Sequence, residues 1–496
     1  MNLGPDLLKE IYIKYGDSKF LIDAKTNSKC TYQDLFQSSS ALAFWLKANG
    51  FCKGDRIGIC LENCTEYAIL YFTCLLGGFI ATPINNSLHY DDIKFIVENA
   101  DIKILFASKI TIPLVEDIFP EIGIVQSDTV KSKFGDVNFK ASNELQTKLD
   151  DIDFDCLWTL HFTSGTTSFP KGVFHTPRSL FSSAINFNSA VQLNQTDRFF
   201  QVFSMAYMAG FLNSLLCPLL VGGSAVIEDA FTARRALNFW KTVIDYQINK
   251  LWLTPSILRL LLKLDRGNSG VDWCSKNIDH IFVGTAPVPF ELKKSFEDRY
   301  ATNVLVSYGL SECLFLATET PHTATKSCSV GQVLPNCLLH FNNGEIHVKS
   351  DSMMSGYLKP HESSYLDEDE YFATGDVGYL ENDLLFITDR KKDIIIRSGL
   401  NISPRKIEEH LLRYDQISEA YVIGIDNELL GEEVVAVILT RAGQNLERNE
   451  LKAHCLKRLS QSELPDRYVF DMDIPLNSNG KVNKSKLKKI ISIGES

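Results

Sequence analysis

The segment His161–Val173 (HFTSGTTSFPKGV) combines small hydroxyl residues, glycine and a lysine in one short run. Glycine and small side chains leave successive backbone N–H groups open, so these groups can converge on an anion. The hydroxyls add donors, and Lys171 adds a compact positive charge that suits a phosphate. The apolar run Cys156–Leu160 predicts a buried strand that leads the segment into a cleft. Because no Ser or Thr follows Lys171 directly, the segment is not a Walker-type P-loop, and it predicts a phosphate loop of another kind.

Two short apolar strands are predicted at His280–Val283 and Val304–Val306, and each is followed by a loop of small and polar residues. A loop of small residues after a buried strand lets a flat ring approach the backbone. In the second loop Tyr308 offers an aromatic face for stacking, and Glu312 offers a carboxylate. Mg²⁺ that accompanies ATP phosphates typically takes one or two carboxylates, so the two loops favour a nucleotide site.

Three later stretches carry charged residues in turn-like or linker-like contexts. Asp376 is predicted in a turn between Phe372 and the strand Val377–Leu380. The charged run Asp389–Asp393 predicts a solvated linker, and Lys481 lies in an Asn- and Gly-containing loop near the end of the chain. Taken singly, such residues most often serve a turn or solubility, so their functional assignment depends on their order relative to the other motifs.

Length and composition bound the class of protein. At 496 residues the chain is too long for one ordinary domain, and 45% hydrophobic with 22% charged residues is ordinary for a globular protein. The net charge of −11 argues against nonspecific nucleic-acid or anionic-membrane binding. The 12 cysteines are scattered without a C-x-x-C pair, which predicts a reducing, cytoplasmic location rather than a zinc or disulfide framework. No signal peptide is expected from the first residues, and the apolar stretch Ala68–Ile84 predicts a buried helix and strand rather than a membrane span.

The order of predicted elements indicates the fold class. Residues 1–150 alternate helices with short apolar strands, beginning with a helix that Thr31 caps, and this β–α alternation implies a mostly parallel sheet covered on both faces. Near the C-terminus, strands at Ala420–Ile425 and Glu433–Leu439 and helices near Arg448–Ser460 and Ser485–Ile491 suffice for a small α+β domain.

These motifs, in this order, resemble those of the adenylate-forming superfamily, which comprises acyl-CoA synthetases, adenylation domains of peptide synthetases and firefly-type luciferases. The phosphate loop resembles T-S-G-T-T-G-x-P-K-G-V, with Ser168 in place of the usual glycine. Tyr308–Glu312 resembles Y-G-x-T-E, and Thr374–Asp376 matches T-G-D. The charged run resembles the hinge motif G-R-x-K-D, with Asp389 in place of glycine, and Lys481 ends a loop that resembles P-x-x-x-x-G-K.

The resemblance implies an α/β fold with a large, multi-subdomain N-terminal region of mostly parallel sheets and a small, mobile α+β C-terminal lid domain. The implied boundaries are 1–389 for the region that binds ATP and the acid, 390–393 for a hinge and 394–496 for the lid. The implied reaction converts a carboxylic acid and MgATP to acyl-AMP and pyrophosphate, after which a thiol, CoA, accepts the acyl group.

The resemblance also implies roles for individual residues. The catalytic residues would be Lys481, Glu312, Thr163 and Lys171, with Glu312 also the metal ligand. Nucleotide binding would involve Thr163, Ser164, Gly165, Thr166, Thr167, Lys171, Gly284, Thr285, Ala286, Tyr308, Gly309, Ser311, Glu312, Asp376, Arg390 and Lys481. The acid pocket would involve Tyr207, Met208, Gly210, Phe211, Val283, Gly309 and Leu310. Lys392, as the pivot, and Ser398 with Gly399 would form the hinge and the thiol channel.

The apolar segment Phe199–Ile227 bears on the acid. In the family the corresponding segment lines the acid pocket, commonly with histidine where this chain has Tyr207, and peptide synthetases carry an aspartate there for the α-amino group. This segment has no aspartate, so an apolar acid, fatty or aromatic, is expected. Ser398–Ile402 resembles the CoA-ligase branch, which favours CoA as acceptor. A stand-alone ligase that loads the phosphopantetheine of a carrier protein, and a luciferase-like oxygenase, remain the alternatives.

Overall fold

The computed structural model describes residue 4 and residues 6–116, 124–126, 149, 151–163, 170–323, 329–359, 365–441, 446–476 and 482–493. Its strands are β1 Lys19–Asp23, β2 Lys29–Thr31, β3 Arg56–Cys60, β4 Ile80–Pro83, β5 Ile102–Ala107, β6 Ile124–Gln126, β7 Thr159–Thr163, β8 Lys171–His175, β9 Arg198–Gln201, β10 Ser224–Ile227, β11 Lys250–Leu253, β12 His280–Val283, β13 Asn303–Leu310, β14 Leu314–Thr318, β15 Gln332–Val333, β16 Cys337–Asn342, β17 Glu345–Ser350, β18 Gly356–Tyr357, β19 Phe372–Glu381, β20 Leu384–Arg390, β21 Ile395–Arg397, β22 Leu400–Ile402, β23 Ile417–Asn427, β24 Gly431–Thr440 and β25 Arg467–Phe470.

The described helices connect these strands. They are α1 Asp6–Tyr15, α2 Tyr32–Ala48, α3 Thr65–Gly77, α4 Tyr90–Ala100, α5 Ile112–Val115, α6 Pro177–Ala190, α7 Met208–Phe211, a π-helix Leu212–Leu216, α8 Cys217–Val221, α9 Ala233–Ala236, α10 Phe239–Asp245, α11 Pro255–Leu264, α12 Ser269–Asn277, α13 Phe290–Tyr300, a 3₁₀ turn Lys391–Asp393, α14 Pro404–Leu411, α15 Arg448–Cys455, a 3₁₀ turn Gln461–Glu463 and α16 Lys484–Ile493. None of the helices in the described ranges is both long and apolar enough to cross a membrane.

One sheet carries the phosphate-loop hairpin. Its seven described strands run in the order β18-β8-β7-β4-β3-β5-β6, with β3 to β7 parallel and β8 and β18 antiparallel. The helix predicted to begin at Thr31 is α2. Thr31 and Asp34 form a capping box at the start of α2, and Gly78 ends α3 in the left-handed conformation, with φ of +74°. The apolar stretch Ala68–Ile84 is accordingly helix α3 followed by strand β4.

A second sheet carries the other predicted ligand loops. Its described strands run in the order β16-β17-β19-β20-β15-β14-β13-β12-β11-β9-β10-β1-β2. The strands from β13 to β1 in this order are parallel, and the strands on either side are antiparallel. Ligands of open parallel sheets bind at the carboxyl ends of the strands, where the loops after β12 and β13 lie. The mixed α/β architecture that the sequence predicted is therefore confirmed.

The C-terminal part has its own sheet and core. Four described strands run in the order β22-β21-β24-β23, and β25 pairs with β24. Buried apolar side chains on the two faces of this sheet form two clusters that are distinct from the main core, one of which includes Ile407 of α14 and the other Leu487 of α16. This is the small α+β domain that the sequence predicted.

Four local predictions were wrong. Tyr308 lies in strand β13, which pairs with β14 as far as Leu310, and not in a loop after Val306. The strand predicted at Cys156–Leu160 lies at Thr159–Thr163, directly against the phosphate loop. Asp376 lies within the ten-residue strand β19 and not in a turn, and the predicted linker is strand as far as Arg390. The reason is cross-strand pairing, since β19 and β20 pair along most of their length and tertiary context overrides local composition.

Candidate active site

The β7–β8 hairpin positions the two ends of the phosphate loop. Thr163 ends β7 and pairs in register with Lys171, which begins β8. Ser164, Gly165, Thr166, Thr167 and Ser168, which complete the predicted loop, lie outside the described residues. The Lys171 ammonium lies 5.6 Å from the ring centroid of Tyr357, within cation–π range. The hairpin therefore places the ammonium group of Lys171 at the end of the phosphate-loop segment.

Tyr357 links this lysine to Glu312. Its hydroxyl donates a hydrogen bond of 3.1 Å to Glu312 Oε1. Burial, reinforced by the charge of Glu312, raises the pKa of the Tyr357 phenol, so the hydroxyl stays protonated and can donate. Strand β18 pairs with β8, which is why Tyr357 can reach both side chains. A cation and a carboxylate thus meet at one aromatic ring, an arrangement that suits a phosphate with an associated Mg²⁺.

A second cluster forms around Asp376, which is only 3% exposed. The Tyr308 hydroxyl donates to Asp376 Oδ2 at 2.7 Å, and Arg390 Nε donates to Oδ1 at 2.9 Å. Burial, with Asp376 as a lesser cause, raises the pKa of Tyr308, so this donor also keeps its proton. Asp376 and Arg390 are paired residues of β19 and β20. Each carboxylate oxygen retains further acceptor capacity, so the fixed carboxylate can receive hydroxyl groups of a ligand.

The loop after β12 lies close against β13. A Cβ atom on Gly284 would lie 3.0 Å from the carbonyl oxygen of Ser307, so glycine allows this close approach. Thr285 adopts a left-handed φ of +68°, which is unusual for a β-branched residue. Thr285 and Ala286 are half-buried beside this contact. The predicted small-residue loop thus reaches the strand that carries Tyr308 and Gly309.

His175, which the sequence did not single out, holds the Ser311–Glu312 turn. Its Nε2 lies 2.7 Å from the carbonyl oxygen of Ser311. Since a carbonyl can only accept, Nε2 carries the proton, and Nδ1 can accept from the Ser179 hydroxyl at 3.3 Å. Burial lowers the pKa of His175 to about 4, so the ring is neutral at physiological pH. Neither His175 nor Tyr357 lies in a motif with recognisable spacing, since each reaches the site only through strand pairing.

The predicted acid-pocket residues lie in and beside the segment after β9. Tyr207, half-buried, precedes α7, while Met208, Gly210 and Phe211 are buried within it. The Phe211 ring stacks on Tyr71, with centroids 4.1 Å apart. Of the others, Val283 is buried at the end of β12, Leu310 is half-buried at the end of β13 and Gly309 is exposed.

The predicted hinge and channel residues lie at the start of the C-terminal part. Lys392 is in the 3₁₀ turn that follows β20. Ser398 and Gly399 form the exposed turn between β21 and β22, with φ of +50° and +79°. Arg405 of α14 donates from Nη1 to the carbonyl oxygen of Ile387 at 2.6 Å, which joins the C-terminal part to β20. Lys481 lies outside the described residues.

Asp389, which stands in place of the glycine of the hinge motif, is 8% exposed. It lies at the N-terminus of α14. Its Oδ1 accepts from the Arg405 backbone N–H at 3.4 Å. Burial raises its pKa to about 6, against the opposing effects of the Ser403 hydroxyl, the Arg405 N–H and the Lys484 charge, while Glu408 adds to the increase. The folded protein therefore binds this proton more tightly than the unfolded chain does.

Replacing Asp389 by asparagine is expected to remove a pH-dependent stability term. In the wild type, protonated Asp389 contributes stability that is fully present below the ordinary pKa of 3.8 and is lost as pH rises through about 6. The free energy of unfolding of the variant, relative to that of the wild type, should therefore be higher near pH 8 than near pH 4. The expected increase is on the order of 1 kcal/mol. Denaturant unfolding of both proteins at the two pH values measures this. A difference that does not change with pH would contradict the assignment.

Comparisons with known proteins agree with this fold. The chain matches the profile of the family described as AMP-binding enzyme over residues 10–358, and that of the AMP-binding enzyme C-terminal domain over residues 406–481. The two family models and the fold define a nucleotide-dependent, adenylate-forming enzyme. The chain belongs to the AMP-binding enzyme family.

Relatives and solved structures cover nearly the whole chain. The 2-succinylbenzoate–CoA ligase of Bacillus licheniformis is 29% identical over 475 residues, covering 92% of this chain and 94% of the relative. The sulfoacetate–CoA ligase of Cupriavidus necator is 26% identical, covering 96% and 95%. ATP-bound MatB from Rhodopseudomonas palustris has the same fold, with a TM-score of 0.85 at 20% identity over 98% of this chain and 99% of that chain. MenE from Bacillus subtilis, in complex with the acyl-adenylate intermediate OSB-AMP, gives 0.82 at 24% identity, covering 98% of each chain.

Together these findings make the protein an AMP-forming acyl-CoA ligase that uses ATP. The relatives are CoA ligases, and the luciferase-like alternative has no support among them.

Proposed function

We propose that this chain joins an acid with an apolar body, fatty or aryl, to CoA through an acyl-adenylate held between its two clusters. The observation that carries the proposal is that β13 and the turn after it contribute one residue to each cluster. Within five residues this segment delivers Tyr308 to Asp376 and Glu312 to Tyr357 beside Lys171. The first cluster suits a nucleoside and the second a phosphate group, and a short span between them matches one nucleotide.

In this proposal Asp376 receives the ribose hydroxyls, and the loop at Gly284–Ala286 with Tyr308 encloses the adenine. The phosphate loop and Lys171 receive the phosphates. Adenylation brings a carboxylate anion onto the α-phosphate, so positioned positive charge and dipoles lower the barrier. Lys481 would add its charge at this step, and the C-terminal part would then turn about Lys392 to admit the thiol.

Glu312 would hold Mg²⁺ on the nucleotide phosphates. Within the described residues, the Tyr357 hydroxyl is bonded to Oε1 of this carboxylate, and acceptor capacity remains for a cation. The described residues contain no group of three or more His, Cys, Asp or Glu side chains that could hold a metal by themselves. A single carboxylate fits Mg²⁺, which usually keeps waters and is shared with phosphates. When bound, Mg²⁺ supplies neutralisation of phosphate charge.

The acid pocket favours an apolar acid for a physical reason. The segment from Phe199 to Ile227 contains no charged residue. The ammonium group of an α-amino acid would lose hydration there without gaining a partner. The named relatives act on quite different acids, so the choice of acid rests on this chain's own pocket.

We also propose a reducing, cytoplasmic location, which the chemistry of the cysteines supports. The described part of the chain holds 11 cysteines, and eight of these are buried. Burial raises the pKa of thiols such as Cys74 and Cys313, which keeps them protonated and unreactive.

Pyrophosphate release tests the proposed reaction. Fatty, aryl and α-amino acids are supplied with MgATP, followed by CoA or by a carrier protein with its phosphopantetheine arm. We expect release with fatty or aryl acids and thioester formation with CoA, and little response to amino acids. Thioester formation with the carrier protein but not with CoA would identify the carrier-loading alternative. Strong amino-acid-dependent release without a response to apolar acids would contradict the proposed pocket.

A further inference from the structure

The loop that joins β9 to α7 is held by side chains from elsewhere in the chain. Its residues 202–207 form neither helix nor strand, so their peptide groups need other hydrogen-bond partners. The Met205 N–H donates to Oδ1 of Asn63 at 2.8 Å, and the Met205 carbonyl oxygen accepts from the Tyr71 hydroxyl at 2.8 Å. Nδ2 of Asn63 also donates to the carbonyl oxygen of Phe203 at 2.7 Å. Two buried side chains therefore fix the backbone of this loop.

Tyr71 connects this loop to the strand that leads into the phosphate loop. His161 lies on β7, two residues before Thr163, and its Nε2 lies 3.2 Å from the Tyr71 hydroxyl oxygen. The hydroxyl has one proton, which goes to the carbonyl oxygen of Met205 because a carbonyl can only accept. Nε2 of His161 therefore carries the imidazole proton and donates to Tyr71. In this way His161 fixes the direction in which Tyr71 donates.

The proposed reaction does not account for a buried histidine at this point of β7. His161 is 2% exposed, and its Nδ1 has no hydrogen-bond partner among the described residues. Burial lowers the pKa of His161 to about 3, so the ring stays neutral and Nε2–H is its donor. Burying a ring with one nitrogen unpaired costs free energy that an apolar side chain would not cost. The donation to Tyr71 is what this histidine contributes.

These contacts join the two large sheets. His161 belongs to the sheet of the phosphate-loop hairpin, whereas the loop with Met205 follows β9 of the second sheet. Tyr71 comes from α3, which contacts β3 and β4 of the first sheet and β1 of the second. Its ring stacks on Phe211 with centroids 4.1 Å apart and on Tyr67 with centroids 5.5 Å apart. The hydroxyl therefore bridges the two sheets from a fixed position.

From these contacts we infer that Tyr71, oriented by His161, is a positioning residue for adenylation. It holds the loop before α7 at a fixed distance from the strand that leads into the phosphate loop. It thereby sets the place of the acid's carboxylate relative to the α-phosphate, and to this extent the inference rests on the proposed function. A misplacement of about 1 Å can cost on the order of 10²-fold in rate, so a contact remote from the reacting atoms can govern adenylation.

Tyr71→Phe tests this inference, because it removes the hydroxyl and keeps the ring that stacks on Phe211. Single-turnover pyrophosphate release is measured with MgATP and whichever of decanoate, benzoate and cinnamate the wild type uses best. We expect Tyr71→Phe to slow adenylation by about tenfold or more, with an unchanged KM for ATP. Thioester formation from synthetic acyl-adenylate and CoA should stay close to the wild-type rate, because the carboxylate and the phosphate are already joined.

Tyr67→Phe is the matched control. Tyr67 lies about one turn earlier in α3, is also fully buried, and donates to the carbonyl oxygen of Ile59 at 3.3 Å, away from the loop before α7. Both variants lose one buried hydroxyl bonded to a backbone carbonyl, so thermal melting should show similar losses of stability. We expect adenylation to slow in Tyr71→Phe and to stay near the wild-type rate in Tyr67→Phe. Equal adenylation rates in the two variants would overturn the inference.

Two substitutions of His161 test its role separately, and they carry the test if Tyr71→Phe does not fold. His161→Gln keeps an N–H donor and should preserve the adenylation rate, whereas His161→Leu removes the donor and should slow adenylation. Adding His161→Leu to Tyr71→Phe should slow adenylation no further, because both residues act through one chain of hydrogen bonds.

Equal rates in His161→Gln and His161→Leu, or losses that add in the double variant, would overturn the role assigned to His161. These outcomes leave the proposed function intact, since the wild type still activates the acid. No pyrophosphate release by the wild type with any acid would contradict the proposed function itself and this inference with it.

Discussion

Replacing Lys481 by alanine is expected to slow acyl-adenylate formation by about 10²–10³, while the same variant transfers the acyl group of synthetic acyl-adenylate to CoA at nearly the wild-type rate. The loss is typical of removing one preorganised electrostatic contact. Lys481 follows the hinge motif, whereas the other proposed phosphate contacts precede it. Its charge offsets repulsion between the incoming carboxylate and the α-phosphate, which ends once the adenylate has formed. The second half-reaction therefore does not need it.

Two kinetic measurements separate the half-reactions. Single-turnover pyrophosphate release reports adenylation, and thioester formation from added acyl-adenylate and CoA reports transfer. Lys489→Ala, which removes an exposed lysine of α16, is the matched control and should change neither rate. Lys392→Pro should slow the transfer to CoA more than it slows adenylation, because a fixed φ at the pivot restricts rotation after adenylation. Equal losses of both half-reactions in Lys481→Ala would contradict the two-orientation mechanism.

Replacing Asp376 by alanine is expected to weaken ATP binding by about 10- to 100-fold, which corresponds to about 1–3 kcal/mol. The variant loses the carboxylate proposed to accept the ribose hydroxyls. It also leaves the Tyr308 hydroxyl and the Arg390 guanidinium without the partner that fixes them at 2.7 and 2.9 Å. Asp376 is 3% exposed, so water cannot readily replace it as the partner of the Tyr308 hydroxyl.

Titration calorimetry of the folded variant with ATP measures this loss. Glu381→Ala removes an exposed carboxylate from the same strand, β19, and should bind ATP as the wild type does. Asp376→Asn keeps an acceptor oxygen but loses the charge that faces Arg390, so an intermediate affinity is expected. An unchanged ATP affinity in Asp376→Ala would show that the ribose lies elsewhere.

The sequence by itself determined those features that depend on local chemistry and on the order of motifs. The capping box at Thr31 and the strand at His280–Val283 follow from residue types in their immediate surroundings. The family assignment was predicted from the order of the motifs between the phosphate loop and Lys481. The family comparison confirms this assignment. Such signals survive without a structure because each depends on neighbours within a few residues, or on sequence order alone.

Only the tertiary structure decided how these residues meet. The strand identity of Asp376 comes from pairing with β20, and its partners Tyr308 and Arg390 arrive from other strands of the sheet. Tyr357 reaches Glu312 because β18 adds to β8, although 45 residues separate the two side chains in sequence. Hydrogen bonding and desolvation depend on distances that close over long stretches of chain, and local residue patterns carry no record of those distances.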